Sequence, residues 1–398
     1  STRMITALLL LLGSAALCSG FETVCMEFPL VKNLDHYQDK CSAMCGFSFV
    51  MDSKSWVIAD INASTVAKAK FPPLVRLKDE FARFSKTNKT IRHKTDISVF
   101  KKLPEKHSMK IILKIYVVRM DESSSDGYHL QRQFLQQFLT SYSKKYNISS
   151  LLIIPAENKP MSYENAAKFL KYMGVVATNA HLDLYLLAKG PTKGLKEATV
   201  KQIDLRTKGL FLATVGLSKK GVTSFDSPLG GKFPETIKSI VKTWLVLGYP
   251  SEKLFGSVDF SVQNFKLDND STADGLDVKA KLISRVGYNK YCSKLPSLNW
   301  TLHKEAASIF TTEKGHWITM ETAHMVEKKV SFMMKQRLKG VAMWGIKGDS
   351  SGDRTCPAGN YALLNTVHYT IKKQKNKIKL LIKSEGLNKR KTMSKKKN

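Results

Sequence analysis

The chain is poor in acid. Its 398 residues include 33 Asp or Glu against 64 Lys or Arg, a formal net charge of +31. Such a field favours polyanionic partners: acidic glycosaminoglycans, anionic cell surfaces or nucleic acid. Long apolar runs are scarce. Beyond an N-terminal stretch at Ile5–Leu12, nothing approaches the roughly 18 residues that cross a bilayer, so no membrane span is expected. There is no G-x-S-x-G elbow for a serine nucleophile. Gly340, Gly345, Gly348 and Gly352 do not form a phosphate loop. The nine histidines, His316 and His324 among them, show no pair at metal-ligand spacing beside a carboxylate or cysteine. Neither a metal nor a cofactor is expected. No short-period repeat is present, and low complexity is confined to the C-terminal tail.

What is present begins with Ser1-Thr-Arg-Met4, the apolar run Ile5–Leu12, and Ala15-Ala16-Leu17-Cys18-Ser19-Gly20. That is the charge, apolar core and small-residue exit of a signal peptide over residues 1–20, the three residues before Met4 reading as leader remnant. A secreted, extracellular protein is expected. Five sequons agree, at Asn62, Asn88, Asn147, Asn269 and Asn299. The mature chain keeps Cys25, Cys41, Cys45, Cys292 and Cys356. In an oxidising compartment the simplest account is two disulfides and one leftover thiol. A Cys25–Cys41 bridge would staple the first two strands, and Cys45 reads as a buried strand cysteine. From Ile371 onward there are 12 Lys or Arg and one Glu. Residues 373–398 therefore read as a basic, disordered tail, with Lys389-Arg390-Lys391 and Lys395-Lys396-Lys397 as its polyanion contacts. Secretion weights the partner towards heparin-like glycosaminoglycans and away from nucleic acid. A monomer is expected.

Asn147–Pro160 organises the rest. Its run Leu151-Leu152-Ile153-Ile154, closed by Pro155, reads as a strand buried on both faces. Further strands are expected at Thr23–Glu27, Cys45–Met51, Lys110–Val118, Leu182–Ala188, Gly209–Val215, Leu254–Phe260 and Gly340–Gly345, with Trp56–Ile61 extending the second. Helical spacing covers Val66–Phe84, His129–Tyr146, Ser162–Met173 with a capping serine, Phe233–Leu247 with Pro234 in its first turn, Met325–Leu338 and Tyr361–Lys372. Eight strands with helices between them predict an α/β fold, a TIM (β/α)8 barrel whose site lies at the C-terminal ends of the strands.

Particular segments then carry a family resemblance. Trp244-Leu-Val-Leu-Gly-Tyr-Pro-Ser-Glu-Lys-Leu-Phe-Gly-Ser-Val runs from a helix into strand seven and is followed by Asn264-Phe265. Asp226-Ser-Pro-Leu, Gly287-Tyr-Asn-Lys-Tyr-Cys292 and Lys339-Gly-Val-Ala-Met-Trp-Gly-Ile-Lys-Gly-Asp349 stand in matching order. In these the chain resembles the chitinases and chitinase-like lectins of glycoside hydrolase family 18, over residues 22–372. The resemblance implies a barrel over 21–372 with a small α+β insertion, about 262–318, between strand seven and its helix. It also implies a Cys292–Cys356 disulfide and a cleft for chitin-type N-acetylhexosamine chains. Trp344 stands at the tryptophan that floors that cleft.

The family's catalytic motif, D-x-x-D-x-D-x-E on strand four, falls here on Ser149, Leu152, Ile154 and Ala156. All four carboxylates are missing. A one-residue shift brings Glu157 to the acid position, without the aspartate that would orient the substrate's acetamido group. The tyrosine and aspartate of strand six are replaced by Ala213-Thr214-Val215-Gly216, and Ser261 stands for a strand-seven tyrosine. The expectation is a non-catalytic chitinase-like lectin, with signalling or immune modulation among the roles the resemblance implies. Two alternatives stay open: a residual hydrolase using Glu157, and a glycosaminoglycan-binding growth-factor-like protein with no sugar cleft.

Overall fold

The computed structural model describes residues 20–26, 40–52, 57–60, 75–76, 110–118, 128–155, 162–188, 194–268, 275–349, 356–357 and 359–394. Eight strands run parallel. They are β1 (Glu22–Cys25), β2 (Ala43–Asp52), β5 (Lys110–Val118), β6 (Ile148–Pro155), β7 (Asp183–Ala188), β8 (Gly209–Leu212), β9 (Leu254–Asp259) and β15 (Gly340–Trp344). Each pairs with the next, β15 pairs with β1, and β1 pairs with β2, which closes the barrel. The fold is the (β/α)8 barrel, and β6 is its fourth strand. Two short antiparallel strands, β3 (Val57–Asp60) and β4 (Val75–Arg76), extend β2 outward.

Burial follows the two-residue period of the strands. Along β6, Leu152 and Ile154 enter the barrel lumen with Val24, Met26, Ile112, Tyr185, Phe211 and Phe255. Leu151 and Ile153 instead face the surrounding helices. Phe211 and Phe255 stack at 4.4 Å between ring centroids, with Tyr185 edge-on to both. The lumen is a packed core and not a pore.

The helices are α1 (Tyr128–Tyr146), α2 (Tyr163–Asn179), α3 (Glu197–Asp204), α4 (Ile237–Val246), α5 (Ala323–Lys335) and α6 (Ala362–Ser394). Ser162 caps α2, its hydroxyl accepting from the Asn165 N–H. α4 starts later than the sequence suggests. Thr236 and Ser239 form a reciprocal capping box at its head, which leaves Pro234 outside the helix. The helix expected over 66–84 gives way at Val75–Arg76 to β4. Pro72 and Pro73 precede that strand, and proline in a helix interior removes a hydrogen bond and clashes with the preceding turn. α3, short and unannounced by any strong periodicity, was missed.

Five strands between Ser261 and Met320 form a separate antiparallel sheet in the order β11 (Ala280–Gly287), β10 (Ser261–Leu267), β14 (His316–Met320), β13 (Ser308–Glu313), β12 (Thr301–His303). Phe225, Phe265, Phe310 and Trp317 make its core. The β13–β14 hairpin turns on Lys314 and Gly315, both with positive φ, as the tight turn matching strand twist requires. This sheet lies in the stretch where an α+β insertion was expected, and its described residues hold only strands and two 3-10 turns, Tyr288–Lys290 and Cys292–Lys294.

Two disulfides are formed, Cys25–Cys41 and Cys292–Cys356. Cys45 is free and fully buried, its Sγ 3.8 Å from Met26 Sδ. Burial raises its pKa to about 11, against a smaller opposing effect of the Lys114 charge, so the thiol is unreactive. The disordered tail expected from 373 requires correction, since α6 continues unbroken to Ser394. Lys, Leu and Ile there are adequate helix formers, and the first turns are anchored: Val367, Thr370 and Ile371 are buried, and Lys373 and Gln374 bond to Glu327 and Ser331 of α5. Asn62, Asn88, Asn269, Ala156, Glu157, Lys395–Lys397 and residues 1–19 of the expected signal peptide lie outside the described residues. Asn147 and Asn299 are exposed.

Candidate functional site

A cavity of about 530 Å³ opens at the C-terminal ends of β8, β9 and β15, against the edge of the insertion. Trp344, the last residue of β15, forms part of its lining. Its ring also packs on the lumen core, and its indole N–H is buried with no acceptor among the described residues. Trp344 thus contributes to the cavity wall, while its indole N–H is closed off from solvent.

One wall depends on glycine. A Cβ on Gly348 would lie 2.2 Å from the Gly287 Cα, and a Cβ on Gly287 would lie 2.4 Å from the Gly348 Cα. The insertion and the loop after β15 touch backbone to backbone at a distance that no other residue pair permits.

The polar wall is a charge network, two buried aspartates held by the solvent-reaching Arg285, that sequence reading did not anticipate. Arg285 of β11 reaches Asp226 through Nη2 to Oδ1 (2.5 Å) and Nη1 to Oδ2 (3.0 Å), a bidentate pairing. Its Nη1 also lies 3.4 Å from Asp259 Oδ2. Gln263 donates to Asp226 at 2.7 Å. Asp259, at the end of β9, accepts the Ser261 hydroxyl (2.5 Å) and the Ser261 N–H (3.0 Å). Burial, then the neighbouring Asp226 charge, raises Asp259 to about 6, against the opposing pull of Arg285. For Arg285, burial alone would lower the pKa, but the two aspartates outweigh it and hold it above its ordinary value.

Behind this layer Lys329 of α5 pairs with Glu321 and donates to the Ser227 carbonyl at 2.5 Å. Burial pushes Glu321 up to about 7, and burial likewise lowers Lys329. Only Asp226 carried a prior signal, through Asp226-Ser-Pro-Leu. Arg285 and Lys329 are ordinary basic residues in a chain full of them, and pairing alone distinguishes them.

The strand-six segment is occupied differently from an active site. Thr214 is fully buried, exchanging hydrogen bonds of 2.9 Å with the Ser257 backbone through its hydroxyl. On β6, Ser149 donates to the Ile111 carbonyl, while Leu152 and Ile154 are 0% and 4% exposed in the lumen. Asp259 is the only carboxylate in the described lining of the cavity, and it is committed to Ser261 and Arg285. No pair of carboxylates spans a scissile bond there, and no group of three potential metal ligands exists among the described residues.

Asp349 sits below the cavity rim, where its carboxylate receives the N–H groups of Leu363 (3.2 Å) and Leu364 (2.7 Å) at the head of α6. Burial raises it to about 6, although those N–H bonds and Lys40 oppose the shift. Asp259 and Asp349 thus keep protons in the folded chain that the unfolded chain releases near pH 4. Their stabilising effect is full below that pH and is lost as pH rises through about 6. The melting temperature should therefore carry an acid-favouring component between pH 7.5 and 5.5, worth about 1–3 kcal/mol from the two groups together. Asp259→Asn should remove about half of that component, and an unchanged pH slope in that variant would refute the assignment.

A closed parallel barrel, an antiparallel insertion after strand seven and a tryptophan-lined cavity at the strand ends define a (β/α)8 barrel protein of glycoside-hydrolase type. The chain belongs to the glycosyl hydrolases family 18, whose profile matches residues 101–349. Probable chitinase 2 of Drosophila melanogaster is 26% identical over 256 residues, 55% of this chain and 51% of the relative. Chitinase-3-like protein 2 of Homo sapiens is 22% identical over 161 residues, 37% and 41% of the two chains. This chain spans about half the length of these curated relatives or less. Among solved structures, human YKL-39, described as a pseudo-chitinase with retained chitooligosaccharide-binding properties, superposes with a TM-score of 0.66 at 14% identity, covering 88% of this chain and 99% of that one. That likeness shows the fold.

Proposed function

We propose that this chain is a secreted, non-catalytic family 18 protein that binds N-acetylhexosamine oligosaccharides in the cavity lined by Trp344. The carrying observation is a division within one site. The indole stays at the cavity, while Leu152 and Ile154, two of the strand-four positions that would hold carboxylates, are hydrocarbon packed into the lumen. An aromatic face takes the apolar C–H face of a pyranose ring. Retained binding in a pseudo-chitinase of the same fold supports this reading.

Titration calorimetry with chitotriose to chitopentaose should show saturable binding, which Trp344→Ala weakens at least tenfold, about 1.4 kcal/mol. Absence of saturable binding, or full affinity in Trp344→Ala, would refute the lectin reading. A fluorogenic chitotrioside should not be turned over. Turnover that disappears in Glu157→Gln would instead establish a hydrolase with a rebuilt acid.

A further inference from the structure

The densest charge on the molecule lies away from the cavity, on the distal part of α6. Between Lys372 and Lys391 this helix holds nine Lys or Arg and one acid, Glu385. Its proximal turns are fixed: Val367, Thr370 and Ile371 are buried, and Lys373 pairs with Glu327 at 2.9 Å. The opposite side faces solvent. Lys372 and Lys379 are exposed there and Lys377 is exposed further round the helix, none with an anionic partner among the described residues.

We propose that the distal part of α6 is a docking surface for sulfated glycosaminoglycan chains of heparin type. At about 100° and 1.5 Å per residue, positions 372, 379, 383 and 390 fall on one line about 27 Å long. A row of cations along a rod matches a linear polyanion lying against it. The remaining cations, at 373, 375, 377, 389 and 391, leave no wide apolar half, which an interfacial membrane helix needs. No aromatic occurs between Ile371 and Ser394, so stacking platforms for nucleic-acid bases are missing. The choice of an extracellular polymer rests on secretion; the surface does not depend on the cavity.

The test uses the full chain with heparin oligosaccharides at several salt concentrations, and the triple variant Lys372→Ala/Lys377→Ala/Lys379→Ala. The variant should bind heparin at least tenfold more weakly near physiological salt, and its salt slope should fall by about two to three, since each lost contact releases about one fewer counterion. Its circular dichroism and its chitooligosaccharide affinity should match the parent. Trp344→Ala should leave heparin affinity untouched, so failure of the cavity reading and failure of this one are separable. Unchanged heparin affinity in the triple variant would overturn the proposal. So would equal affinity for desulfated heparin, or tighter binding to duplex DNA or to phosphatidylserine vesicles.

Discussion

Lys329→Met is expected to destabilise the chain by about 3–5 kcal/mol, because it leaves Glu321 buried beside a missing cation. Lys329 is 0% exposed and Glu321 7%. Neither charge can turn to water, so removing one partner exposes the full desolvation penalty of the other. The double variant Lys329→Met/Glu321→Leu should recover most of the loss, since a buried pair gains little over hydrocarbon of similar volume. Urea midpoints of the parent, the two single variants Lys329→Met and Glu321→Leu, and the double variant measure this. A single variant as stable as the parent, or a double variant no better than the single, would refute the pairing as the source. The pair has a place in the architecture as well as an energy. Lys329 stands on α5, Ser227 follows strand six and Glu321 follows the insertion sheet. One ammonium thus joins the three segments that support Asp226 and Arg285, and Lys329→Met should also loosen the cavity's polar wall and weaken oligosaccharide binding.

How far the sequence announced this depends on which physics set each feature. Strands buried on both faces are continuous apolar runs, and Lys110–Val118 and Leu151–Ile154 were readable for that reason. The insertion was placed by resemblance, but its strands alternate only partly, as in Ser261–Leu267, and were not individually legible. The helix assigned to 66–84 overlooked Pro72-Pro73, and the tail assigned to disorder overlooked the anchoring of α6 on α5, a tertiary contact that composition does not encode. In the site, Trp344 was legible through the resemblance of Lys339–Asp349 to the family's final strand. The Asp226–Arg285–Asp259 and Glu321–Lys329 contacts bring together residues between 8 and 59 positions apart, and nothing local marks them.

Ile154→Asp is expected to cost about 3 kcal/mol or more at pH 7.5 and to give no turnover of a chitotrioside. The position is the family's strand-four aspartate, and restoring that residue alone tests why the chemistry is gone. Ile154 packs in the lumen with Leu152, Ile112 and Tyr185. The buried Lys114 of β5 is engaged with the Met26 carbonyl at 3.0 Å, so a carboxylate at 154 would have to draw that ammonium away, take a raised pKa or disrupt the packing. Since the folded-state pKa is the raised one, the acid is tolerated best below about pH 4 and the penalty grows as pH rises through the folded value. Stability should therefore fall more steeply with pH than in the parent. An aspartate accepted at no cost and with no pH dependence would mean that the lumen at strand four is already polar, and the packing account of lost catalysis would fail. Even Leu152→Asp/Ile154→Asp/Ala156→Glu together should not hydrolyse chitotrioside, because Val215 and Gly216 stand where the orienting tyrosine and aspartate would be needed, and co-acting groups restored in part recover little of the rate.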